Sequence, residues 1–175
     1  MTQLYSFNIL GRFRVAFLLI ILFAITLNGQ TNEFFKSPKY GYSFKYSNSF
    51  KNHPSQNPQI DFSAGKTNGA SIITTTAPFS FSENSFDKVT QKTIEHDIGS
   101  QVDNFTVTKF IRTKISGYNA IIVYCDVMIK SHSLTQILVF VNSKTYPFTL
   151  TLSCFKKDFS SLKNTFEITL NSLAL

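Results

Sequence analysis

Tryptophan is absent from this 175-residue chain, cysteine occurs twice, and glycine and proline number only 7 and 5. So few glycines and prolines exclude a collagen-like or low-complexity chain, and two cysteines allow one disulfide at most. Acidic residues are also scarce, 10 against 17 Lys plus Arg, for a formal charge of +7. The signatures of chemistry are missing too. There is no HxxH, HExxH or CxxC spacing for zinc, and no GxSxG turn to present a nucleophilic serine. Gly65-Lys66-Thr67 resembles the end of a phosphate-binding loop, but Ile60 stands where its first glycine must be.

What is present is the profile of one ordinary globular domain, 43% hydrophobic and 15% charged. Its first thirty residues are a separate object. Arg12 and Arg14 precede the apolar stretch Val15 to Leu27, and Asn28-Gly29-Gln30 breaks it. A run of that length suits a secretory signal and falls short of the ~20 residues that cross a bilayer as a helix. The expectation is a signal peptide at 1–30 and one α/β domain at 31–175, secreted to a periplasmic or extracellular compartment. The alternative is an uncleaved N-terminal anchor, which would be the chain's one attachment to a membrane. No cysteine lies near the break, which excludes a lipid-modified N-terminal cysteine.

Removal of 1–30 takes away two arginines and no acid, leaving 15 basic and 10 acidic residues. The remaining lysines are scattered, and no basic block is interleaved with aromatics, so no nucleic-acid partner is expected.

In the domain, Tyr40-Gly41-Tyr42-Ser43-Phe44-Lys45-Tyr46 places aromatics on every even position, the period of a strand with one buried face. Short strands are expected at 59–63 and 70–76, and a longer one at 105–113 with a turn at Ser116-Gly117. A helix is expected over 82–98, capped by Asn84 or Ser85 and closed by Gly99, and an amphipathic helix over 158–173 with Phe159, Leu162, Phe166, Leu170 and Leu173 on one stripe. Between them, the apolar runs 119–129, 134–141 and 146–155 are separated by short polar gaps that suit hairpins. Ile121-Ile122-Val123 and Ile137 to Val141 are apolar on consecutive positions, so both faces of their sheet must be covered. The fold class implied is α+β, an antiparallel sheet sandwiched between helices in α/β/α layers.

That meander also tests the cysteines. The strands carrying Cys125 and Cys154 would be separated by the middle one, about 9 to 10 Å apart sideways. A disulfide needs Cα atoms within roughly 7 Å. Two reduced, buried thiols are therefore expected.

Tyr40-Gly41-Tyr42-Ser43-Phe44, Gly117-Tyr118-Asn119-Ala120, Tyr146-Pro147-Phe148-Thr149-Leu150-Thr151 and the helix from Phe166 to Ser172 resemble, in this order, segments of the PsbP-like family. That family is named for an extrinsic subunit of the oxygen-evolving complex and shares a fold with the Ran-binding protein Mog. The resemblance covers residues 34–174 and implies a non-enzymatic role, because the recognised relatives act mostly by binding other proteins.

The residues able to carry chemistry are few. His53 lies in a Pro/Asn-rich segment, His132 in a tight turn, and His96 near a helix end between Glu95 and Asp97; each reads as a solvated side chain. Asp126 is the one charge inside the long strand 119–129, expected near a sheet edge or paired with a lysine such as Lys109. No catalytic, cofactor-binding or metal-binding residue is assigned. An enzyme would require one pocket to join at least two of Asp126, His96, Asp97 and His132. The leading expectation is an exported accessory protein that docks onto a larger envelope assembly through a protein partner. The second is a carrier of a small hydrophobic ligand, suggested by 19 Phe and 7 Tyr.

Overall fold

The computed structural model describes residues 31–175 except 77, 79, 80 and 84. Two strands, β1 (Asn32–Lys36) and β2 (Ser43–Ser47), form an antiparallel hairpin. Seven more follow: β3 (Lys51–Asn52), β4 (Ile60–Gly65), β5 (Ser71–Thr75), β6 (Asp103–Ile115), β7 (Tyr118–Ile129), β8 (His132–Val141) and β9 (Phe148–Phe155). They make one sheet in the order β3-β4-β5-β9-β8-β7-β6, with every pair antiparallel. Helix α1 (Gln91–Gly99) lies between β5 and β6, and α2 (Phe159–Asn171) follows β9.

The predicted meander is present as β7-β8-β9, preceded by β6; the β6-β7 and β7-β8 turns are tight, and residues 142–147 form a longer β8-β9 loop. Ser116-Gly117 and Lys130-Ser131 are both two-residue connections in which each residue has positive φ, the backbone hand that matches the twist of a hairpin. The pleat of β7 explains its unbroken apolar run. Ile121, Val123 and Cys125 join Val89, Ile94, Leu138 and Phe140 in one hydrophobic cluster, whereas Ala120 and Ile122 join Tyr42, Phe44 and Phe166 in another. Successive residues thus face two different cores.

The second cluster is rich in aromatic rings. Tyr42, Phe44 and Tyr46, the even positions of the alternating segment, are buried against Phe35 of β1 and Phe62 of β4, with ring centroids 4.5 to 6.3 Å apart. The β-strand begins later than the expected position 40, because Ser37 to Tyr42 turn the chain: Ser37 N–H donates to the Tyr42 carbonyl, and Gly41 sits at φ +80°. Helix α2 places Leu162 and Phe166 in the same cluster, and Ala174 beyond it exchanges backbone hydrogen bonds with Ser43 of β2.

The helix expected over 82–98 is shorter. A 3-10 turn at Phe86–Lys88 precedes α1, whose N-cap is Thr90 rather than Asn84 or Ser85. Thr90 accepts from Thr93 N–H while Thr93 Oγ1 accepts from Thr90 N–H, a reciprocal cap that fixes the helix start. Asn84 lies outside the described residues, as does the whole of the expected signal segment 1–30. No helix among the described residues is long and apolar enough to cross a membrane.

The cysteines are buried and free. Cys125 is paired across β7-β8 with Gln136, and Cys154 across β9-β8 with Thr135, so β8 lies between them. They also belong to different hydrophobic clusters. Non-adjacent strands and separate cores keep the two sulfurs apart.

Candidate functional site

The titratable residues singled out from sequence do not converge. His96 is exposed on α1 and its ring meets its neighbour, with Nδ1 3.0 Å from Asp97 Oδ1. That contact, together with the Ser82 N–H bond to Asp97 Oδ2, holds the Asp97 carboxyl below the usual carboxylate range. His53 is exposed, and its backbone N–H donates to Ser63. The ring of His132, at the start of β8, meets Phe155 edge-on at 5.4 Å. Asp126 is not paired with Lys109, whose ammonium lies over the Tyr124 ring. Its partners are Lys156 Nζ at 2.8 Å and Thr135 Oγ1 at 2.6 Å. Burial raises its pKa, but these two contacts outweigh that and leave it lowered. The Lys109 expectation failed because neighbours on β6 and β7 offered the nearest cation in sequence, whereas the 3-10 turn after β9 brings Lys156 back across β8. Among the described residues, no three His, Cys, Asp or Glu side chains are placed to hold a metal ion.

A different set does converge, at the end of the sheet where the β1-β2 turn, the β6-β7 turn and the β8-β9 loop meet. Lys39, Tyr40, Tyr118, Ser143, Thr145, Tyr146 and Leu175 line a groove of about 350 Å³. Its aromatic wall is fixed from several sides. The Tyr40 and Tyr146 rings pack at 4.8 Å, Tyr146 Oη donates to the Tyr40 carbonyl at 3.0 Å, and Thr76 Oγ1 at the end of β5 donates to Tyr40 Oη at 3.1 Å. In the β8-β9 loop, Ser143 Oγ accepts from the backbone N–H groups of Thr145 and Tyr146 and lies 3.0 Å from Thr145 Oγ1, a local turn that holds the loop in shape. Lys39 Nζ sits 4.8 Å from the Tyr40 ring centroid. The proximity of the Lys39 ammonium to the Tyr40 hydroxyl lowers the tyrosine pKa and raises that of the lysine.

Behind the groove a polar chain enters the core. Tyr42 Oη donates to Asp61 Oδ2 and accepts from Thr74 Oγ1. Asp61 can reach it because the β4-β5 register slips between Ile60 and Phe62. The arrangement offers rings with polar tips, two hydroxyls and one ammonium, with no acid or amide side chain in the lining. It can bind, but contains no nucleophile and base in contact. Sequence reasoning missed this groove because its residues come from segments up to 136 positions apart, Lys39 to Leu175. Only the tyrosines of three quoted motifs, 40–44, 117–120 and 146–151, hinted at it.

No family model matches the chain, and no curated protein matches it. Solved structures do. The cyanobacterial PsbP protein CyanoP of Synechocystis sp. PCC 6803 is 14% identical at a TM-score of 0.59, over 85% of this chain and 95% of that one. The Ran-binding protein Mog1p of Saccharomyces cerevisiae is 6% identical at 0.57, over 83% and 95%. LpqN of Mycobacterium tuberculosis, involved in cell envelope biogenesis, is 10% identical at 0.53, over 88% and 95%. At such identities the likeness is one of backbone path, and it establishes that this chain has the PsbP/Mog1-like fold.

Proposed function

We propose that the protein is an exported, non-enzymatic accessory protein that docks onto a larger envelope assembly. The observation that carries this reading is the groove of pre-set tyrosines, because amphipathic rings held in place are the side chains that lose least entropy on meeting a partner. The fold agrees: one neighbour is named as a Ran-binding protein and another as a participant in envelope biogenesis. In the α/β/α layering we favour, α1 covers one face of the long sheet and α2 with the β1-β2 hairpin the other, so contact is left to the ends of the sheet. Export rests on the segment 1–30.

Carriage of a hydrophobic ligand is the weaker reading, because the aromatic residues that suggested it are spent on one another. Phe35, Tyr42, Phe44, Phe62 and Phe148 are in mutual ring contact, and among the described residues no buried side-chain N or O atom lacks a hydrogen-bond partner. Mild crosslinking in envelope extracts of the source cells, followed by affinity purification of the full-length chain, tests the proposal. One or a few reproducible protein partners are expected. A chain recovered alone, monomeric throughout, overturns it.

A further inference from the structure

We infer that the groove lined by Lys39, Tyr40, Tyr118 and Tyr146 receives an extended, acidic segment of the partner protein. The inference rests on the docking role proposed above and names the kind of element that docks. Three classes of occupant can be weighed against the lining. A glycan presents many hydroxyls, each a donor and an acceptor, and is met best by carboxylate and amide side chains; the lining has neither. A nucleic acid needs several cations along its backbone, and the lining holds one. An extended peptide fits all the groups. Its aliphatic or proline rings can lie on tyrosine faces, its backbone amides and carbonyls meet hydroxyl tips, and a single carboxylate meets a single ammonium.

Two features make the complementarity specific. Lys39 is the one charged side chain of the lining, and its solvent-exposed ammonium lies 4.8 Å from the Tyr40 ring centroid, beside the groove. The Tyr40 and Tyr146 hydroxyls are already engaged with Thr76 and the Tyr40 carbonyl, so their rings are fixed, while the half-buried Tyr118 stands on the separate β6-β7 hairpin. The groove therefore combines an aromatic wall fixed by hydrogen bonds with a third ring from another hairpin.

The test is titration of the purified full-length chain with a short peptide of alternating proline and aspartate, and with its asparagine counterpart, followed by NMR of the tyrosine ring signals. The expected result is saturable binding of the aspartate peptide that shifts Tyr118 and Tyr146. The asparagine peptide should bind roughly tenfold more weakly, as should the aspartate peptide to Lys39→Glu, the loss of one charge-assisted contact. Tyr118→Ser should weaken binding of the aspartate peptide and reduce the Tyr146 shift, at a modest loss of thermal stability because the half-buried ring also packs against the core. Equal affinity for both peptides overturns the inference. So does saturable binding of an oligosaccharide in place of the peptides, or no binding of any probe at the groove. In that last case a partner still captured by crosslinking through other residues leaves the docking role standing, whereas a chain captured alone removes both.

Discussion

The hydroxyl of Tyr42, a side chain with no exposed surface, donates a 2.7 Å hydrogen bond to Asp61 Oδ2 and lies 2.5 Å from Thr74 Oγ1. A buried phenol is costly unless its hydrogen is accepted, and here Asp61 of β4 accepts it while the Thr74 hydroxyl of β5 donates to the phenol oxygen. The link also ties the β1-β2 hairpin to the seven-stranded sheet just behind the tyrosine groove. Tyr42→Phe keeps the ring, which packs on Phe148 at 4.6 Å, and removes only this link. The variant should lose about 1 to 2 kcal/mol by urea denaturation, the range for a buried hydrogen bond whose partner is left unsatisfied. A change under a few tenths would mean that water replaces the phenol at no cost.

Alkaline pH should unfold the protein ahead of ordinary tyrosine-bearing domains. Burial, and then the Glu33 carboxylate that accepts its hydrogen, pushes Tyr46 from 10.0 up to about 12. Burial, and then the neighbouring Asp126 charge, pushes Cys125 from 9.0 up to about 12. Burial raises Tyr42 as well. Each group binds its proton more tightly in the folded chain than in the unfolded one. Stability is therefore complete below pH 9 and declines as pH rises from there to about 12. The denaturation midpoint should be flat near neutrality and fall steadily through that window. Tyr46→Phe should fall less steeply, because it has no phenol to ionise.

The thiols make a separate expectation. Cys125 and Cys154 are both pushed up by burial, the latter to about 11, so little thiolate exists at neutral pH. The folded protein should resist an alkylating reagent that labels both cysteines once urea is added, and intact mass before and after counts the adducts. Air oxidation should leave the mass of the native protein unchanged. A two-hydrogen loss with intramolecular bridging would contradict the placement of β8 between the two strands.

The parts of this fold legible in the sequence are those decided by neighbours along the chain. The consecutive apolar positions of 121–123 and 137–141 report a sheet buried on both faces, and the alternation Tyr42, Phe44, Tyr46 reports a strand with one buried face. The start of α1 was not legible, because Thr90 and Thr93 cap each other through hydroxyls while Ser85 and Asp87 offer an equally good cap signature one turn-length earlier. The Asp126-Lys156 pair and the tyrosine groove were hidden for another reason: both are made by segments that only the strand order brings together.

The two tight hairpins give a matched test of backbone strain. Lys130 and Ser131 connect β7 to β8 at φ 47° and 68°, where a Cβ crowds the following carbonyl, whereas Gly117 occupies the second position of the β6-β7 turn at φ 85°. An Asn-Gly or similar pair is the usual solution for such a turn, and Lys130-Ser131 departs from it. Ser131→Gly relieves the crowding but also frees the unfolded chain, so the net gain should be about 0.5 kcal/mol. Gly117→Ala is the converse. A Cβ built there meets no atom within 4 Å, so nothing but the backbone hand opposes it. That substitution should cost about 1 kcal/mol. Thermal melts of both variants beside the parent decide the matter: equal melting of all three would show that the hairpin ends relax without strain, and a loss on Ser131→Gly would show that Ser131 contributes a contact larger than the strain it carries.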